Sequence, residues 1–182
     1  MPKESPRSGK KRGVSASGAK AKKKAPEKSD ADARAELEGF IDKYDPKVAA
    51  LGRKALALMR KRLPGALETV YDNYNALAVG FTGVNKVAKT PLSIALYPRW
   101  ITLFFLSGAA LPDPMGKLEG EGSRVRSIRI ETPKALTETF ADEYVDGLIT
   151  AAVLHVGWIL DPKGKGQVII KSISPKQRPR RV

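Results

Sequence analysis

Residues 92–111, LSIALYPRWITLFFLSGAAL, are the one apolar run long enough to span a bilayer, and the fold depends on how they are read. A membrane helix would carry Pro98-Arg99 near its centre, where an Arg costs about 2.5–3.5 kcal/mol on insertion. Split at that dipeptide, the run becomes two strands joined by a turn. Ile94 and Leu96 before the turn, and Ile101, Leu103, Phe104 and Phe105 after it, all suit a pleated sheet. We read a buried hairpin with strands at 93–97 and 101–106.

Working outward, further strands are expected at 69–71, 76–81 and 125–130, with turns at 83–91 and 108–122. Upstream, Leu37, Phe40, Ile41 and Tyr44 share one helical stripe that Asp30 or Asp32 can cap. Asp45-Pro46 starts a second helix over 46–63, with Val48, Leu51, Ala55, Leu58 and Met59 on one face. Pro64-Gly65 ends it. Downstream, Thr132-Pro133 is another helix start. Phe140, Tyr144, Leu148, Ala152 and Val156 then predict a helix over 139–157, with room for a short helical turn before it. A loop at 161–166 leads to a last strand, QVIIKSI at 167–173, rich in β-branched residues. Consecutive strands between helices predict an α+β domain. It has an N-terminal helix pair, a central antiparallel sheet of about five to six strands, a long C-terminal helix and a final short strand.

The run FIDKYDPKVAALGRKALALMRKRLPGALETVYDNYNALAVGF, followed by LSIALYP, GKLEGEGSRVRSIRI and a closing helix, resembles the YdhG-like family over roughly residues 37–157. The likeness is carried by the helix ending in Leu63-Pro64, the segment bearing Tyr71, the pair Tyr97-Pro98, and Gly120, Gly122 and Arg126. It implies a small α+β domain of largely undefined function, in a family some of whose members are described as frataxin-like iron chaperones. After the second helix the chain has VYDNYNALAVGF where many members have a Ser-Tyr-Gly-Met-Pro-like stretch. No iron ligand is carried over.

The 182 residues hold 33 Lys and Arg against 19 Asp and Glu, one His and no Cys, for a formal charge of +14. Without Cys there is no disulfide framework, thiolate zinc site, iron–sulfur cluster or Cys nucleophile. A single His removes sites that need two imidazoles. The charge is uneven. Residues 1–28 carry +8 and residues 175–182 carry +4, which leaves +2 for residues 29–174. With Val14 as its one large aliphatic beyond the initiator Met, the 1–28 segment is expected to be a disordered basic tail, and 175–182 a second basic tail. The single domain lies between them. No apolar stretch in the first tail suits a signal peptide, and Glu4 with Lys outnumbering Arg counts against a transit peptide. A cytoplasmic address and no membrane association are expected.

Candidate sites follow from residue type. Lys10, Lys11, Arg12, Lys22, Lys23 and Lys24 in the first tail, and Arg178, Arg180 and Arg181 in the second, can neutralise phosphates without reading sequence. On the second helix Lys47, Arg53, Lys54, Arg60 and Lys61 form a basic face that can track a phosphate backbone or simply be solvated. Gly116 to Gly122 is glycine-dense but lacks the ending of a phosphate loop. Strand alternation sets Arg126 beside Ile128 and Ile130, where a guanidinium needs an anion or an internal carboxylate such as Glu68 or Asp72. Tyr71, Asn73, Tyr97, Arg99, Gly120, Gly122 and Arg126 make a candidate ligand rim. His155 reads as a core histidine, and Glu138, Asp142, Glu143 and Asp146 as the wet face of a helix or a hard-cation cluster.

These residues support a non-enzymatic binding domain of unknown ligand, held to nucleic acid or another polyanion by flexible basic tails, with no cofactor and no metal. A small anionic ligand fits the rim. A frataxin-like iron chaperone and an enzyme acting on a small anionic substrate are the alternatives.

Overall fold

The structure is a computed structural model that describes residues 29–181. Helix α1 (Asp30–Ile41) is capped by Ser29, whose hydroxyl accepts from Asp32 N, one turn-start earlier than the aspartates suggested. Helix α2 (Pro46–Arg62) begins with Asp45 accepting from Lys47 N and Pro at its first position, the arrangement its sequence predicts. Gly65, at φ 75°, makes the left-handed turn that sends the chain into the sheet.

Six strands follow: β1 (Leu67–Asp72), β2 (Leu77–Thr82), β3 (Leu92–Leu96), β4 (Ile101–Phe105), β5 (Arg126–Ile130) and β6 (Gln167–Ile173). They lie in the order β5-β4-β3-β2-β1-β6. The hairpin read from residues 92–111 is β3–β4, closed at Pro98-Arg99 by Tyr97 N donating to Trp100 O. Among the described residues no helix is long and apolar enough to cross a membrane.

Two expectations change. The sheet is mixed: β6 runs parallel to β1, while every other pairing is antiparallel. The connection from β5 travels through α3 (Pro133–Ala141) and α4 (Glu143–His155) to the opposite edge of the sheet, a crossover that suits a parallel partner. The long C-terminal helix is also two helices. Asp142 is extended (φ −75°, ψ 113°), ends α3, and caps α4 by accepting from Tyr144 N. The buried face of α4 is Val145, Leu148, Ile149, Ala152 and Val153.

One face of the sheet carries the core. Leu77, Leu96, Ile101 and Ile130 are in register across four strands, and Val79, Ile94 and Leu103 form the next row. α1 packs on β6, α2 on β3 and β4, and α4 on β3. Tyr44, at the corner between α1 and α2, joins the layers: its hydroxyl donates to Leu96 O at 2.9 Å and accepts from Leu77 N at 2.8 Å. Burial pushes this phenol up to about 12. Among the described residues no helix packs along the other face of the sheet.

Candidate functional site

On the open face, alternation places Ala78, Ala95, Thr102 and Arg129 in one cross-strand row, with Tyr71 at its β1 end. The next row runs Gly80, Ser93, Phe104 and Ser127. Gly80 is required there. A Cβ would stand 2.8 Å from Thr69 Oγ1 and 2.9 Å from Thr90 Cγ2, because the 83–91 loop folds back over this part of the sheet.

Beside that loop the small side chains Ala78, Ser93 and Ala95 form the floor of a cleft of about 470 Å³. Its walls come from the β1–β2 turn (Asn73, Tyr74, Asn75), from Tyr97 at the end of β3, and from Phe104, Leu106 and Val125. Tyr97 stacks on Trp100 with ring centroids 5.4 Å apart and planes 22° from parallel. The Arg129 guanidinium carbon lies 3.9 Å from the Trp100 ring centroid, a cation–π contact on the same indole. Burial holds the Tyr97 phenol above its ordinary value.

Of the predicted ligand rim, the structure brings Asn73 and Tyr97 into this cleft and sets Tyr71 on the same face. Arg99 is exposed in the β3–β4 turn beside the Tyr97–Trp100 stack. Gly120, Gly122 and Arg126 gather elsewhere. Arg126 donates to Gly122 O and Val125 O, and its side chain fills the space in front of Gly108, so it clamps the loop before β5. The internal carboxylates expected for it are out of reach because three strands separate β1 from β5. Glu68 instead takes a two-point bond from Arg60, both at 2.8 Å, which raises the Arg60 pKa further. Phe104, Trp100 and Arg129 were missed by the sequence reading. Their signal was alternation, against Leu103 and Phe105 on β4 and against Ile128 and Ile130 on β5, which turns them outward.

On α2 the arginines are ion-paired and Lys47, Lys54 and Lys61 are exposed. Arg53 bonds Glu38 and Asp42 on α1, Arg60 bonds Glu68, and Arg62 bonds Asp146. Lys54 is exposed, with Thr137 Oγ1 3.4 Å away, and Lys61 is exposed. The carboxylates of α3 and α4 are engaged too: Asp142 with Lys117, Asp146 with Arg62, Glu138 with Lys134. Among the described residues no group of three or more His, Cys, Asp or Glu is placed to hold a metal ion. His155 is exposed at the end of α4, because the buried stripe is rotated away from it.

The largest correction concerns the C-terminal tail. It packs as a strap along the β1–β2 turn and the α1–α2 corner. Ser174 N donates to Asp72 O and Arg178 N to Tyr74 O. Arg181 donates to Tyr44 O and Asp42 O. Arg180 is 5% exposed, and its guanidinium reaches Asp72 Oδ1 at 2.9 Å and the Asn73 carbonyl. Lys43 and Gln177 bond the other oxygen of Asp72, which is 1% exposed. Arg180 is therefore unavailable to a polyanion: it balances a carboxylate that the fold has buried. Arg178 keeps an exposed side chain. Lys10, Lys11, Arg12, Lys22, Lys23 and Lys24 lie outside the described residues.

Compared with protein-family models, curated proteins and solved structures, the chain matches none.

Proposed function

We propose that this chain is a non-enzymatic binding domain. Residues 1–28 hold nucleic acid or another polyanion by charge, while the cleft on the open sheet face takes an uncharged part of the ligand. The observation that carries this reading is the make-up of the cleft lining among the described residues. This lining offers Tyr rings, Asn amides, one Ser and apolar surface, which is the composition of a binding site.

The charge pattern supports the division of labour. In the body Arg34, Arg53, Arg60, Arg62 and Arg180 each face a carboxylate. The excess of the first 28 residues is +8, and a Lys/Arg segment gains affinity for a phosphate polymer by releasing its counterions. The order of helices and strands over residues 37–157 favours a YdhG-like scaffold for the body.

The test compares two full-chain variants in duplex binding by fluorescence anisotropy. Replacing Lys10, Lys11, Arg12, Lys22, Lys23 and Lys24 with Gln is expected to weaken binding at least ten-fold and to leave the melting temperature unchanged. Replacing Lys54 and Lys61 is expected to change affinity far less. The reverse ranking would move the polyanion site to α2.

A further inference from the structure

We infer that the open sheet face is a stacking platform for the bases of single-stranded nucleic acid, a reading that rests on the polyanion affinity proposed above. Five of the chain's 12 aromatic residues, Tyr71, Tyr74, Tyr97, Trp100 and Phe104, belong to this one face or its rim. Packing does not require them there. The core side of the same strands is filled by aliphatics with Phe81 and Phe105, and among the described residues no helix packs on the open side. Aromatic surface left in water forgoes its burial energy, and Tyr74 is 52% exposed. The other four rings are half-buried, and rings gathered on one face match a partner that presents flat π-surfaces in series.

The geometry suits bases. Trp100 and Tyr97 already stack, Arg129 contacts the same indole, and Tyr97 forms a wall of the cleft. A base entering the cleft adds the next plane, over a floor kept low by Ala78, Ser93 and Ala95. Asn73 and Asn75 supply amide donors and acceptors at the same wall, the groups that pair with base edges. Exposed Arg99 and Arg178 stand beside Tyr97 and Tyr74, where they can meet the phosphates between stacked bases. A duplex cannot use this site. Its bases are stacked on one another and present no free face to the rings. The platform therefore prefers a single strand, whereas residues 1–28 serve both forms.

Trp100 reports on the stack directly. In the full chain carrying Trp158→Phe, it is the remaining indole. Oligo(dT) and oligo(U) of about 15 nucleotides are expected to quench its fluorescence, and a duplex of equal phosphate count to leave it unchanged. The relative response to the two single strands separates DNA from RNA. Tyr97→Leu and Tyr74→Ala are each expected to weaken single-strand binding about ten-fold without altering duplex binding. Tyr74 lies on an exposed turn, so its truncation leaves the fold in place. Duplex and single strand bound equally, with no quenching and no effect of either variant, overturns the platform while the polyanion reading stands. Binding of neither at low salt overturns both. Trp100 emission that shifts on neutralising Lys22, Lys23 and Lys24 with no oligonucleotide present would make the N-terminal segment the occupant, and also overturns the platform.

Discussion

Asp72 belongs to a polar run, Tyr71 to Asn75. Expected as an internal carboxylate for Arg126, it is one, but its arginine is Arg180. In the structure the run divides by strand parity. Tyr71 faces out, while Asp72 faces in and is neutralised by Arg180, Lys43 and Gln177. Among the described residues Arg180 Nε and Nη1 have no hydrogen-bond partner, and its guanidinium lies 5.3 Å from the Tyr44 ring centroid. A buried pair broken on one side leaves an uncompensated charge, so Arg180→Met is expected to destabilise the protein by about 3 kcal/mol in urea titrations. Adding Asp72→Asn should return part of that loss. An unchanged urea midpoint for Arg180→Met would mean the pair does not form. No sequence signal marked Arg180, because its partner lies 108 residues away and a basic C-terminus reads as solvated by default.

At the scale of elements, the helix starts and the strands were legible because each rests on a local rule. Asp45-Pro46 and Thr132-Pro133 open α2 and α3, and the Pro98-Arg99 interruption marks the β3–β4 turn. The direction of β6 was not legible. Its composition says strand, but parallel or antiparallel depends on which edge the α3–α4 connection reaches, which no local pattern encodes. Asp30, at the first position of α1, ties this strand down: Oδ1 accepts from Val168 N at 2.7 Å and Oδ2 from Arg34 Nε. The Val168 bond comes first among the causes that hold its carboxyl below the ordinary 3.8, with the Arg34 bond second. A carboxyl depressed in the folded state adds stability above the unfolded pKa, and that stability disappears as pH falls through the folded value. Asp30→Asn is therefore expected to lower the melting temperature near neutral pH, with the gap to the parent closing below about pH 4. A gap independent of pH would contradict this anchor.

Over the whole molecule, the sequence's uneven charge has two different outcomes. The basic C-terminus is a structural part that pins the turn forming one wall of the cleft, so its removal would loosen the site as well as the fold. The cleft itself was only half legible. Asn73 and Tyr97 were found as polar and aromatic residues at strand ends, but Phe104, Trp100 and Arg129 needed the register of three strands to bring them together. The central claim is that polyanion affinity belongs to residues 1–28 and is carried by a body whose own arginines are largely paired. It is tested most directly by the salt dependence of duplex binding, measured from about 50 to 200 mM, where each neutralised phosphate contributes about −0.9 to the slope of log K against log salt. The account predicts a steep slope for the full chain that becomes shallower by up to about 5 when Lys10, Lys11, Arg12, Lys22, Lys23 and Lys24 are replaced by Gln. A slope and affinity unchanged by those six replacements would contradict it.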